Sequence, residues 1–141
     1  MRRNMLTILA ALATAACGGS TNVSPDTLDG SWNAAEYEYV NAQSSAQSVD
    51  LVADSSYAIQ FVFGTQLTGQ ASFVRAGSSN SSTFSYNADG TRVIINNDTL
   101  SAALGNGGDR LTLTGNIGYD FTGDGADERA NARLVLNRIQ P

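Results

Sequence analysis

Residues Tyr57 to Phe63 read YAIQFVF, and this run decides the fold class. Tyr57, Ile59, Phe61 and Phe63 take every second position, with Ala58, Gln60 and Val62 between them. A period of two puts the first set on one face of a pleated strand, whereas a helix would scatter it around the cylinder. The alternation recurs outward from this run, in Ala71 with Phe73, Phe84 with Tyr86, Leu111 with Leu113, Tyr119 with Phe121, and Ala132 with Leu134 and Leu136. From Leu28 onward no helix-period segment of useful length interrupts it. The punctuation agrees. NADG at Asn87 to Gly90, GNGGD at Gly105 to Asp109 and the stretch Gly123 to Glu128 supply residues that tolerate positive φ in tight hairpins. AGSSNSS at Ala76 to Ser82 and NAQSSAQS at Asn41 to Ser48 read as looser loops. The pattern predicts strands at 30–41, 56–64, 68–76, 82–87, 91–96, 98–104, 109–121 and 129–139, with Ser48 to Ala53 as a short ninth or an extension of the second.

Consecutive strands with short connections favour an all-β, single antiparallel up-and-down barrel of about eight strands, which closes on itself and removes both exposed edges. A two-sheet β-sandwich is the alternative, and the pattern alone does not separate the two. The first strand carries a conflict. Strict alternation from Trp32 turns Glu36 and Glu38 inward and leaves Tyr37 and Tyr39 facing out. Buried, unpaired carboxylates are costly, so a bulge between Trp32 and Glu36 is expected to flip the register and put the two tyrosines inside. Without the flip, the glutamates would form an acidic mouth.

Composition removes whole chemistries. Among 141 residues there is no histidine and no lysine, and there is one cysteine. Ser–His catalysis, imidazole or thiolate zinc sites, intramolecular disulfides, Schiff bases and phosphate-loop lysines are therefore excluded. Eight basic against thirteen acidic groups give a net charge of −5, which suits neither nucleic acid nor anionic lipid head groups. The acidic residues gather at turns, away from any cleft that they could line as a catalytic pair. The chain reads as a non-enzyme.

The N-terminus, MRRNMLTILAALATAAC, places Arg2 and Arg3 before an apolar stretch from Met5 to Ala16 and then Cys17. Crossing a bilayer takes about 20 apolar residues, so this is a secretory signal and not an anchor helix. The arrangement resembles a bacterial lipoprotein signal, with Thr14 standing where leucine is usual. The resemblance implies a signal peptide over 1–16, lipidation of Cys17, and attachment to the membrane through the lipid. Gly18 after the cysteine implies sorting to the outer membrane of the cell envelope. Ordinary secretion after an Ala13-Thr14-Ala15 site is the competing reading. Residues 17–27 are small and polar and read as a flexible tether, leaving 28–141 as the folded domain.

Gly30-Ser31-Trp32 matches the GxW element that opens the first strand of lipocalins, and with eight hairpin-linked strands and a C-terminal arginine the chain resembles small bacterial lipocalin-like lipoproteins. The resemblance implies that Trp32 plugs one end of the barrel and that Arg138 packs across its ring. It also implies a small apolar ligand inside. The interior aromatic and aliphatic face that would hold it comprises Tyr57, Ile59, Phe61, Phe63, Phe73, Phe84 and Tyr86. Those side chains are equally able to fill a narrow barrel, which would leave a structural or surface-interaction protein with no cofactor.

Asp120-Phe-Thr-Gly-Asp124-Gly-Ala-Asp127-Glu128 resembles the calcium loops of EF-hand and dockerin-type motifs. The resemblance implies calcium held by Asp120, Thr122, Asp124, Asp127 and Glu128. Thr122 at the third position, Asn131 at the twelfth and flanking strands depart from those motifs. An acidic hairpin loop without metal is the alternative.

Overall fold

The computed structural model describes residues 22–141. The expected signal peptide and Cys17 lie outside the described residues. A short helix, α1 (Pro25–Leu28), precedes nine strands: β1 (Gly30–Asn41), β2 (Ser48–Asp50), β3 (Ala58–Phe63), β4 (Thr68–Arg75), β5 (Ser78–Asp89), β6 (Arg92–Ile95), β7 (Asp98–Gly105), β8 (Arg110–Tyr119) and β9 (Glu128–Arg138). Every pairing is antiparallel, and the strands run in chain order around the sheet. β1 bonds β3 along Gly30 to Asn33 and β9 along its length, so eight strands close into a ring. This is the barrel and not the sandwich. β2 pairs with Glu38 to Val40 of β1, above the point where β3 ends. Among the described residues the strands that close the ring run from Gly30 to Arg138 and the core from Val23 to Leu136, so residues 22–141 carry the whole hydrogen-bonded ring.

The expected register flip is present. Ala34 faces Leu136 and Glu36 faces Val135, so Ala35 is the extra residue of a bulge. Beyond it Tyr37 and Tyr39 turn inward, and Glu36 pairs outside with Arg133. The acidic-mouth alternative falls with this geometry.

The barrel is filled in its lower half. Ile59, Phe61, Phe63, Phe84, Tyr86, Val93, Leu104, Leu111 and Leu136 form one buried cluster. Phe63 meets Phe84 and Tyr86 edge-on, with ring centroids 5.5 and 5.0 Å apart, a geometry suited to aromatic quadrupoles. The Tyr86 hydroxyl donates to the Gly64 carbonyl at 2.7 Å, which satisfies its buried end. Gly69 has no room for a β-carbon, because the Phe84 ring and the Val62 carbonyl occupy that space.

Three local features differ from the sequence expectation. Ser78 to Ser82 is strand, turned at Ala76 and Gly77 (φ +49° and +81°), and it pairs residue for residue with β4. Asn87, Ala88 and Asp89 also remain in the ladder, and the turn falls at Gly90 and Thr91. Gly90 is further tied to Val23 by reciprocal backbone hydrogen bonds of 2.7 and 2.9 Å. Finally, the end of the segment read as tether belongs to the fold. Ser24 caps α1 with a capping box, Pro25 starts it, and Val23 and Leu28 are buried in the main core.

The wall has unequal height, which positions the site. β5 is twelve residues long, yet only Tyr86 to Asp89 pair with β6. β8 pairs with β7 only up to Thr114, so Gly115 to Tyr119 border β9 alone. The short β6–β7 hairpin therefore leaves the upper rim notched at Asn96 and Asn97.

Candidate functional site: the two ends of the barrel

One end is shut. Trp32 is fully buried, and its Nε1–H donates to the Leu28 carbonyl at 2.8 Å, which hangs the indole beneath α1. Arg138, opposite Trp32 in the β1–β9 register, lays its guanidinium 4.1 Å from the ring centroid. The same group donates to the carbonyls of Thr27 at 2.6 Å, Asp29 at 2.8 Å and Gly108 at 3.3 Å. Its Nε also lies 3.7 Å from the Asp109 carboxylate. Arg138 thus ties α1, the β7–β8 turn and the last strand across the indole. Gly30, at φ +119°, allows the close approach: a β-carbon there would lie 3.2 Å from the guanidinium.

The other end is open. The bulge at Ala35 delivers Tyr37 and Tyr39, and β8 delivers Tyr119, to one aromatic stack. Tyr37 and Tyr39 have centroids 4.9 Å apart, Tyr39 and Tyr119 4.6 Å, and Tyr119 and Phe121 4.9 Å. Burial pushes the Tyr37 and Tyr39 phenols above their ordinary range, and for Tyr39 the neighbouring Tyr37 adds to this. Both are therefore neutral at physiological pH and serve as hydrogen-bonding, not charged, groups. The β2–β3 loop closes over this side. Asp50 Oδ1 accepts from the amides of Tyr37, Val52 and Ala53, and the Leu51 amide donates to the Tyr37 carbonyl at 2.9 Å. Those bonds fold Leu51 against the aromatic wall.

Two spaces lie at this end. The inner one, about 130 Å³, is lined by Tyr37, Phe61, Leu100, Leu113, Ile117, Ala132 and Leu134, with Ile95, Asn96 and Asp98 from the short hairpin. The outer one is a shallow cup of about 500 Å³. Leu51, Ser55, Tyr57, Phe73, Arg75, Ser78, Asn80 and Tyr119 line it. Of the candidate interior residues, Phe61 lines the inner space, and Tyr57 and Phe73 line the cup. Ile59, Phe63, Phe84 and Tyr86 line neither, because they pack against each other and fill the barrel below. The additional lining residues Ile117, Ala132 and Leu134 follow the inward alternation of β8 and β9. Leu51 lies in the segment Ser48 to Ala53 that the pattern marked as a possible short strand, whereas Ser55, Ser78 and Asn80 come from stretches with no apolar pattern.

The acidic loop joins β8 to β9. Oxygens of Asp120, Asp124 and Glu128 lie within 4.8 Å of one another, while Asp127 lies outside this group. The loop's own amides use these oxygens. Asp120 accepts from the amides of Gly123 at 2.6 Å, Gly125 at 2.8 Å and Asp124 at 3.3 Å, and from the Thr122 hydroxyl at 3.4 Å. Glu128 accepts from the Phe121 amide at 2.7 Å and the Thr122 hydroxyl at 3.2 Å. These donors, led by Gly125, hold the Asp120 carboxyl below the usual range. Calcium takes about six to eight oxygens. The loop gathers three carboxylates and the Thr122 hydroxyl on one turn, and its own amides hold them there.

No protein-family model matches the chain, and no curated protein does either.

Proposed function

We propose that the chain is a non-catalytic, lipid-anchored, lipocalin-like protein of the cell envelope that holds a small ligand with apolar surface at the open end of its barrel. One observation carries the reading: the barrel is plugged and filled at the Trp32 end, while at the other it opens onto two unfilled spaces, the inner lined mainly by apolar side chains and the outer by aromatic rings interleaved with polar groups. Pockets that bury small molecules are commonly about 300–1,000 Å³, mostly apolar, with a few polar groups that fix orientation. The cup falls in this range and the inner space adds an apolar recess. The envelope address rests on Arg2, Arg3, the apolar stretch Met5 to Ala16, and Cys17. The absence of histidine and lysine supports a binding role over catalysis.

A second reading has its own support. The filled lower barrel suits a structural or surface-interaction protein that carries no ligand. One experiment separates them. Residues 22–141 are titrated with the neutral fluorophore N-phenylnaphthylamine, and the variant Ile117→Glu, at a half-buried position of the inner space, is titrated beside it. Saturable enhancement by the wild type, lost in a variant with unchanged circular dichroism, supports the carrier. A wild type with no saturable signal leaves the structural reading.

A further inference from the structure

The cup has a charge pattern that its size does not require. Arg75, the last residue of β4, holds its guanidinium 5.4 Å from the centroid of the Tyr57 ring. The three ion pairs among the described residues engage Arg92, Arg133 and Arg138, and none includes Arg75. Carboxylates of the neighbouring loop are committed elsewhere: Asp50 caps the amides of Tyr37, Val52 and Ala53, and Asp54 accepts from the Asp50 amide at 2.7 Å. The lining of the cup itself includes no carboxylate, although acidic groups outnumber basic ones thirteen to eight in the chain. Instead it offers Arg75, the hydroxyls of Tyr57 and Tyr119, and the side chains of Ser55, Ser78 and Asn80 beside the Phe73 ring.

A wall of hydrogen-bond donors with one uncommitted guanidinium favours an anion, because the planar fork of arginine matches the paired oxygens of carboxylate or sulfonate. The rings beside it favour a flat, apolar body. We infer that the cup takes an organic monoanion with an aromatic body, an arene carboxylate or sulfonate, its charged group on Arg75 and its ring system among Tyr57, Phe73 and Tyr119. The inference rests on the ligand-carrying role proposed above and names the class of ligand. Tyr57 adds to the selection, since a ring against the face of the guanidinium braces it without consuming the in-plane N–H donors that meet the anion.

The test compares two dyes that share one aromatic body. Anilinonaphthalene sulfonate carries the anion and N-phenylnaphthylamine lacks it. Both are titrated at low ionic strength into residues 22–141, into Arg75→Gln and into Arg75→Lys. Arg75 is exposed near a hairpin tip, so these variants keep the fold. The expected result is binding of the sulfonate about five- to tenfold tighter than the neutral dye, the order expected for a partly exposed charge-assisted contact. Arg75→Gln removes that advantage and leaves the neutral dye unchanged, Arg75→Lys keeps part of it, and added salt erodes it. Equal affinities in the wild type, or an advantage that survives Arg75→Gln, overturn the inference while leaving the carrier role in place. Saturable binding of neither dye overturns both.

Discussion

Replacing Arg138 with methionine keeps an unbranched apolar stem and removes the guanidinium that closes the barrel. The cost follows from its contacts. The contact with Trp32, at 4.1 Å from the ring centroid and against a fully buried indole, is worth about 1–2 kcal/mol. The hydrogen bonds to the Thr27 and Asp29 carbonyls lie at a partly exposed rim, so each contributes about 1 kcal/mol, less than a buried charged hydrogen bond. The Asp109 contact at 3.7 Å, with its carboxylate half exposed, adds little. The sum is about 3 kcal/mol, which for a domain of this size lowers the melting temperature by roughly 10–15 °C. Trp32 is the only tryptophan, so its fluorescence reports both the transition and the state of the plug. Urea unfolding of residues 22–141 and the variant measures the difference, and the variant's native emission shifts to the red as water reaches the indole. A loss below about 1 kcal/mol with native emission unchanged would refute the closure argument, because the ring contact alone carries at least that much.

Deleting Ala35 removes the extra residue and lets Ala34 and Glu36 follow each other opposite Leu136 and Val135, so Tyr37 and Tyr39 stay inside on plain alternation. The expected outcome is that cooperative unfolding is retained in a denaturant melt, and a deletion variant that loses it would contradict the register account. The Asp120 carboxyl has a folded pKa below its ordinary value of 3.8, so its contribution is complete well above pH 4 and is lost as the pH falls through the folded value. Exchange of the Gly123 and Gly125 amides, which donate to that carboxylate, should therefore rise on acidification below about pH 4, relative to the intrinsic rate. Asp120→Asn should abolish that dependence; protection that ignores both acid and the substitution would show that other contacts hold the loop. Cys17→Ser should move the protein from the membrane fraction to the soluble periplasmic fraction, and unchanged pelleting with the envelope would remove the lipid anchor.

The alternation of YAIQFVF made β3 legible, and the clash between burying Glu36 and Glu38 and exposing Tyr37 and Tyr39 made the bulge legible before any coordinates. In both cases a buried face has to be apolar, so periodicity carries the information. Ser78 to Ser82 was not legible as strand. Its side chains are exposed on both faces, and serine has little intrinsic strand preference, so the β4 ladder alone imposes its conformation. The turn after Asn87 was displaced for a related reason, since the bridge between Val23 and Gly90 fixes which residues leave the ladder. Residues 22–27 looked like tether because their composition is small and polar, whereas their role comes from one buried valine and a capped helical turn. The pair Trp32 and Arg138 was legible only through resemblance and face parity. The cup was half legible. Tyr57 and Phe73 lie on a patterned face, but whether such a face is filled or open depends on the height of the opposing wall, and here that is set by the short β6–β7 hairpin.

Ligand occupancy at the notched rim is most directly measured by an amide NMR titration of isotopically labelled residues 22–141 with N-phenylnaphthylamine. The account predicts saturable shifts grouped at Leu51, Tyr57, Phe73, Asn96, Ile117 and Tyr119, with the amides of Trp32, Phe63 and Leu111 unmoved. Shifts centred on the Trp32 end or scattered over the outer faces of the strands, or none at saturating dye, would contradict it.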